Sequence, residues 1–237
     1  MPDALECFAV DCLSRLYMLF NRLTPLPTGQ TAENVMALRT GQANCYLLGH
    51  PGGWIAFDAG FSLPVLRREL AKLAIDPASI THLFLTHSDF DHAGGVTLFS
   101  NAEVFLSADE LPLAEGRLRR KLFVRNRLDC ESPRLLRDGE VVEIGDIRVK
   151  SIATPGHTPG SMSYLVEGVS DGSLLFTGDA FRILKGRAQP NLSFITMNSG
   201  ESLRSIRKLA KLEGIKAVFT GHRGMSRDYS SIMKAWK

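Results

Sequence analysis

Cysteine is scarce and scattered. Cys7, Cys12, Cys45 and Cys130 are the four in 237 residues, and no two of them form a CxxC pair. That argues against a Cys-based zinc site and a disulfide framework, and fits reduced, mostly buried thiols in a cytoplasmic protein. No apolar run reaches the 18 or so residues of a membrane span. The first residues carry Asp3, Glu6 and Asp11, where a signal peptide needs a basic start and an unbroken apolar core. Neither sign of charge dominates: 28 Lys and Arg against 25 Asp and Glu leave +3, so nothing in the total calls for nucleic acid or a membrane surface. Internal repeats and low-complexity linkers are also lacking. What is present is 44% hydrophobic residues and a mean hydropathy near zero, enough for a sizeable core in one large domain or two small ones.

The apolar residues fall into short runs. Leu5, Phe8, Cys12, Leu16, Leu19 and Leu23 share a helical stripe over residues 4–23, which Thr24-Pro25-Leu26-Pro27 breaks. This helical extension, residues 1–30, precedes the main domain, residues 31–237. Its stripe needs a partner, either the body of the domain or a second copy of the chain in a homo-oligomer. Strands are expected at 35–38, 43–48, 54–57, 80–85 and 104–106, over 141–152 as a hairpin turning at Gly145-Asp146, and at 162–166, 173–176 and 215–219. Helices are expected near 63–74 and 200–212, the second with Ser199 as N-cap and Gly214 just past its end. β-rich stretches mixed with a few helices predict an α/β (α+β) chain: two sheets face to face with helices outside.

Histidine is scarce too, yet four of the six stand at one kind of place. The run Ile80–Leu85 leads into His87-Ser88-Asp89-Phe90-Asp91-His92, four side chains able to hold a metal within six residues. Val149–Ala153 leads into Thr154-Pro155-Gly156-His157, Leu174–Phe176 into Thr177-Gly178-Asp179, and Ala217–Phe219 into Thr220-Gly221-His222. A glycine before each of His157, Asp179 and His222 allows a tight turn and a close approach to an ion. Imidazole and carboxylate donors together suit Zn²⁺, Fe or Mn²⁺. His50 lies in a Gly-Pro-rich turn and reads as solvated; His82 lies early in its strand and reads as structural.

The order His-x-x-x-Asp-His, lone His, lone Asp, final His over residues 35–225 resembles the metallo-β-lactamase superfamily. That resemblance implies a four-layer αββα sandwich. It implies that His87, Asp89 and His157 hold one metal ion, that Asp91, His92 and His222 hold a second, and that Asp179 bridges them. Asp58, in Phe57-Asp58-Ala59-Gly60, matches an early aspartate that supports the metal loop from outside the ligand shell. Asp89 departs from the pattern, which has histidine there. A carboxylate either ligates and biases that position toward Fe or Mn²⁺, or falls short and leaves the protein effectively mononuclear.

The implied cofactors are two divalent ions, zinc first, with Fe or Mn open because of Asp89. Such ions share a water, lower its pKa and polarise a carbonyl, with Asp91 orienting the nucleophile and moving a proton. The expected activity is hydrolysis of an ester, lactone or thioester in a small-molecule substrate, lactonase-like or glyoxalase II-like. The alternatives are a di-iron redox protein related to flavodiiron proteins, and a non-catalytic metal-binding protein. Residues 109–130 mix Arg117, Arg119, Arg120, Lys121, Arg125 and Arg127 with leucines. They suit either an anionic substrate with an acyl portion or an ordinary solvated face. Phe181–Lys185 is a further candidate lining.

Overall fold

The computed structural model describes residues 23–32, 34–120, 125–170 and 172–237. The helix expected over 4–23 therefore lies outside the described residues, save its last position, Leu23.

Among the described residues, fifteen strands form two principal sheets and one small ribbon. The first sheet runs in sequence order: β1 (Gly29–Ala32), β2 (Val35–Thr40), β3 (Ala43–His50), β4 (Gly53–Phe57), β5 (Ile80–Phe84), β6 (Glu103–Ser107) and β7 (Arg134–Leu136). It is antiparallel from β1 to β4 and parallel from β4 to β7. The second sheet contains β8 (Val141–Ile144), β9 (Ile147–Ala153), β10 (Met162–Ser170), β11 (Gly172–Phe176), β14 (Ile215–Phe219) and β15 (Met225–Ser226), in the order β15-β14-β11-β10-β9-β8. Between them in sequence, β12 (Arg182–Leu184) and β13 (Arg187–Gln189) pair as the ribbon.

Alternation along the strands creates the layers, because successive side chains point to opposite faces. Ile55 and Phe57 of β4 turn toward the second sheet, and Ala56 turns away. Tyr46, Leu48, Ile55, Phe57, Phe84 and Phe105 meet Val149, Tyr164, Leu174, Phe176 and Phe219 in the middle layer. Outside the first sheet, Leu38, Leu47, Ala56 and Leu83 pack on Leu66 and Leu70 of the helix Leu63–Lys72. Outside the second, Leu175 and Val218 pack on Ile206 and Leu209 of the helix Ser199–Ala210. The result is helix, sheet, sheet, helix. The N-cap of Ser199–Ala210 is Asn198, whose side chain accepts from the Glu201 amide, one residue earlier than the Ser199 expected from sequence. Phe181 belongs to the outer core with Leu175 rather than to a pocket wall.

A row of aromatic rings sets the level at which the strands end. Phe57, Phe84 and Phe105 are register partners across β4, β5 and β6, and Phe176 partners Phe219 across β11 and β14. Phe57 stacks on Phe176 between the sheets at 3.8 Å. Truncating a fully buried ring of this kind costs about 3–5 kcal/mol. The rings hold the carboxyl ends of these strands at one edge of the sandwich, and the loops that leave that edge carry the candidate site. Among the described residues no helix is long and apolar enough to cross a membrane.

Candidate metal centre

Three of the ligand candidates stand three residues beyond one of those rings: His87 after Phe84, Asp179 after Phe176, His222 after Phe219. The parallel pairing of β11 and β14 continues past the strands. The Thr177 amide donates to the Phe219 carbonyl, and the Gly221 amide donates to the Gly178 carbonyl at 2.9 Å. Asp179 and His222 are thereby delivered side by side. Gly178 has φ +47, and a Cβ there would lie 2.3 Å from Thr86 Oγ1, so glycine is required for the turn. Gly221 lies against the site itself: a Cβ on it would sit 2.5 Å from Asp179 Oδ1 and 2.6 Å from His92 Cε1.

The donors converge in two groups. In His87, His157 and Asp179, and again in Asp91, His92 and His222, one ligand atom from each residue lies within 4.8 Å of the others. Asp179 stands between the groups. Its Oδ2 is 3.4 Å from His157 Nε2 and 3.2 Å from His222 Nε2, and its Oδ1 is 3.6 Å from His92 Nε2. Asp89 Oδ2 lies 3.2 Å from His157 Nε2 and 3.5 Å from His87 Nε2. All seven side chains named from sequence are thus brought together. His50 and His82 are not; both sit partly buried beside Thr81, their ring nitrogens 3.0 and 2.8 Å from its hydroxyl, so His50 is less solvated than its turn suggested.

The imidazoles are aimed by partners on their other nitrogens, which fixes which nitrogen faces the centre. His92 Nδ1 donates to Asp58 Oδ2 at 2.7 Å, His222 Nδ1 to the Gln42 carbonyl at 2.8 Å, and His87 Nδ1 is 2.9 Å from the Thr86 hydroxyl. Asp58 is buried with φ 62, and its Oδ1 accepts from the Thr86 amide at 2.8 Å. Gln42 also donates from Nε2 to Asp91 Oδ2 at 2.9 Å.

Charge is crowded here. Burial pushes the His92 imidazole down, but Asp58, Asp179 and Asp91 outweigh it and carry its pKa up to about 10. Burial acts likewise on His222, where Asp179 and Asp91 raise it to about 9. Burial would raise Asp179 and Asp89, yet the imidazoles around them hold both well below the usual carboxylate range. His157 is lowered, burial there prevailing over Asp179 and Asp89. Carboxylates that retain protons on neighbouring imidazoles would equally draw a divalent cation, which competes with those protons. His87 Nε2 is buried with no hydrogen-bond partner among the described residues. An orphaned nitrogen facing carboxylate and imidazole donors fits a metal of the Zn²⁺, Fe or Mn²⁺ kind.

Four polar residues contribute that sequence reading did not single out for this role. Gln42 is one. Glu110 is fully buried: Oε1 accepts from the Ser88 amide at 2.9 Å and hydroxyl at 2.7 Å, and Oε2 accepts from the Thr158 hydroxyl at 2.7 Å and the Gly160 amide at 3.1 Å. It clamps the His87–His92 loop to the His157 loop. Glu110→Ala leaves two buried amides without an acceptor. It is expected to cost roughly 3 kcal/mol, read as a Tm lower by roughly 6–12 °C, with Glu110→Gln losing less. Asn126 donates to Asp89 Oδ1 at 2.8 Å and to the Ser88 hydroxyl at 3.0 Å. Arg120, grouped by sequence with possible substrate-binding cations, instead turns inward onto Asp89, Nη2 to Oδ2 at 2.9 Å.

Comparison with known proteins agrees with this geometry. A model of the metallo-β-lactamase superfamily matches residues 38–222. The chain is 34% identical over 116 residues to metallo-beta-lactamase domain-containing protein 1 of Xenopus laevis, a stretch covering 49% of this chain and only 44% of that protein. It is 27% identical to the N-acyl homoserine lactonase AttM of Azorhizobium caulinodans, over 85% of this chain and 92% of that one. A HARLDQ-motif metallo-beta-lactamase mutant from Cronobacter sakazakii superimposes with a TM-score of 0.71 over 90% of this chain and 94% of its own, at 19% identity, a likeness of fold alone. By fold, by the match across its site and by the donors gathered at one edge of the sandwich, this chain belongs to the metallo-β-lactamase superfamily.

Proposed function

We propose that this protein is a metal-dependent hydrolase that opens an ester, lactone or thioester bond in a small molecule, with acyl lactones as the first class to try. The observation that carries the reading is the convergence of His87, Asp91, His92, His157, Asp179 and His222 from four separate loops on one centre, with Asp58 and Gln42 aiming the imidazoles. Asp91, His92, His222 and Asp179 would hold one divalent ion, zinc first; His87, His157, Asp89 and the shared Asp179 form the second position. Bound there, divalent ions make water nucleophilic near neutral pH and polarise a carbonyl. Asp91, oriented by the Gln42 amide, would accept a proton from the attacking water and deliver it to the leaving oxygen or sulfur. Phe90, between Asp89 and Asp91 in the motif, is 53% exposed and packs edge-on against Phe61 at 5.0 Å, a ring pair suited to an acyl chain. The N-acyl homoserine lactonases among its relatives favour the lactone over the thioester.

The test is a panel of acyl lactones, aryl esters and acyl thioesters turned over by zinc-loaded protein. Turnover is expected to vanish on chelation and return with metal. Asp91→Asn is expected to lower kcat by about 10²–10⁴-fold in a folded chain. Metal-replete protein inert toward the whole panel would sink the proposal.

A further inference from the structure

The first donor group, His87 and His157 with Asp89, has an arginine set into it. The Arg120 guanidinium is nearly buried, its side chain 10% exposed. Nη1 donates to the His157 carbonyl, and Nη2 donates to the Ile195 carbonyl at 2.9 Å and to Asp89 Oδ2 at 2.9 Å. The same Nη2 lies 3.2 Å from His157 Nε2. The nitrogen therefore rests against a carboxylate oxygen and an imidazole nitrogen that a metal in the first group would need. Asn126 occupies the other oxygen of Asp89. In the second group Asp91 meets the neutral amide of Gln42 instead.

We propose that Arg120 is a resident cation of the first group. It competes with a metal ion for Asp89 and His157, so that the chain retains one divalent ion tightly, at Asp91, His92, His222 and Asp179, and a second only weakly. A guanidinium stays charged at any working pH and cannot yield its place by losing a proton. Its planar fork is fixed by two backbone carbonyls besides Asp89, so moving it breaks several hydrogen bonds at once. Asp89 and Arg120 form one unit: where histidine would be a neutral ligand, aspartate adds a buried charge and Arg120 supplies its counter-charge. Changing Asp89 to histidine alone would strand the guanidinium beside the imidazoles rather than build a stronger site.

This inference rests on the metal reading of the centre, and its test separates the two. Metal-stripped protein is titrated with zinc against a chromophoric chelator, and retained zinc is counted by elemental analysis after gel filtration. The wild type is expected to retain one ion per chain. Arg120→Met, and Arg120→Gln, which keeps N–H donors for the carbonyls without the charge, are expected to bind the second ion about 10- to 100-fold more tightly. Arg120→Lys keeps the charge and is expected to remain at one ion. Asp89→His alone gains nothing, whereas Asp89→His with Arg120→Met retains two. A wild type holding two ions of equal affinity, or a second ion bound no more tightly by folded Arg120→Met or Arg120→Gln, overturns the role of Arg120 and leaves the metal centre standing. A wild type that retains no ion removes both.

Discussion

Gly221→Ala is expected to give a folded chain that has lost about nine-tenths of its tightly bound metal and, with it, at least about 10²-fold in hydrolysis, on the scale by which small misplacements of site groups act. The three atoms nearest to the added methyl would be Asp179 Oδ1 at 2.5 Å, His92 Cε1 at 2.6 Å and His92 Nε2 at 3.3 Å. All belong to ligand side chains and none to backbone, so the clash is relieved by displacing ligands rather than by distorting the sandwich. His92 cannot swing aside cheaply, because Asp58 grips its Nδ1 at 2.7 Å and the ring is fully buried. Overpacking of this size costs about 1–3 kcal/mol, a modest loss of Tm for a chain this long. Gly200→Ala is the matched control: its Cβ would have ordinary contacts of 3.5 Å or more and lies far along the chain from the donors. Elemental analysis and thermal melts on the two variants check the expectation. Full metal retention by Gly221→Ala would mean that the donors are not arranged as described.

Much of this centre could be read from the sequence because its ligands obey a local rule. A buried strand ends in a polar, glycine-bearing loop, and the strand's own apolar run announces where that loop begins. The aromatic register of Phe84, Phe176 and Phe219 then turns local position into spatial coincidence. The layering followed from the same runs, and the hairpin turn at Gly145-Asp146 falls between β8 and β9 as expected. Short strands escaped. β1 and β7, of four and three residues, lack an apolar alternation long enough to show a period. The supporting residues escaped for a different reason. Gln42 reaches Asp91 across 49 positions, Glu110 reaches Gly160 across 50, and Arg120 reaches Ile195 across 75. Single polar side chains in irregular segments carry no periodicity, so only the fold reveals what they touch. Asp89 shows the same limit. Its departure from the family pattern stood out in the sequence, but its guanidinium partner lay hidden in a basic stretch that also reads as a solvated surface.

The support behind the ligands gives the second large expectation. Asp58→Ala is expected to weaken metal binding at least 100-fold and to destabilise the fold by roughly 3 kcal/mol, whereas Asp58→Asn should fold nearly as well yet still bind metal about 10- to 100-fold less tightly. Alanine leaves the Thr86 amide and His92 Nδ1 without an acceptor inside the protein, and it must also adopt φ 62, a backbone conformation that asparagine tolerates far better. Asparagine can still offer its oxygen to the Thr86 amide. Its NH₂ then faces His92 Nδ1, and a donor there favours the tautomer that carries the proton on Nε2, the nitrogen that must be bare to ligate. The two substitutions thus separate aim from support. Both should lose metal, but only alanine should lose several degrees of Tm. The discriminating measurement is zinc affinity beside thermal stability for each variant. Asp58→Asn with wild-type zinc affinity would show that Asp58 braces the loop without setting the state of His92.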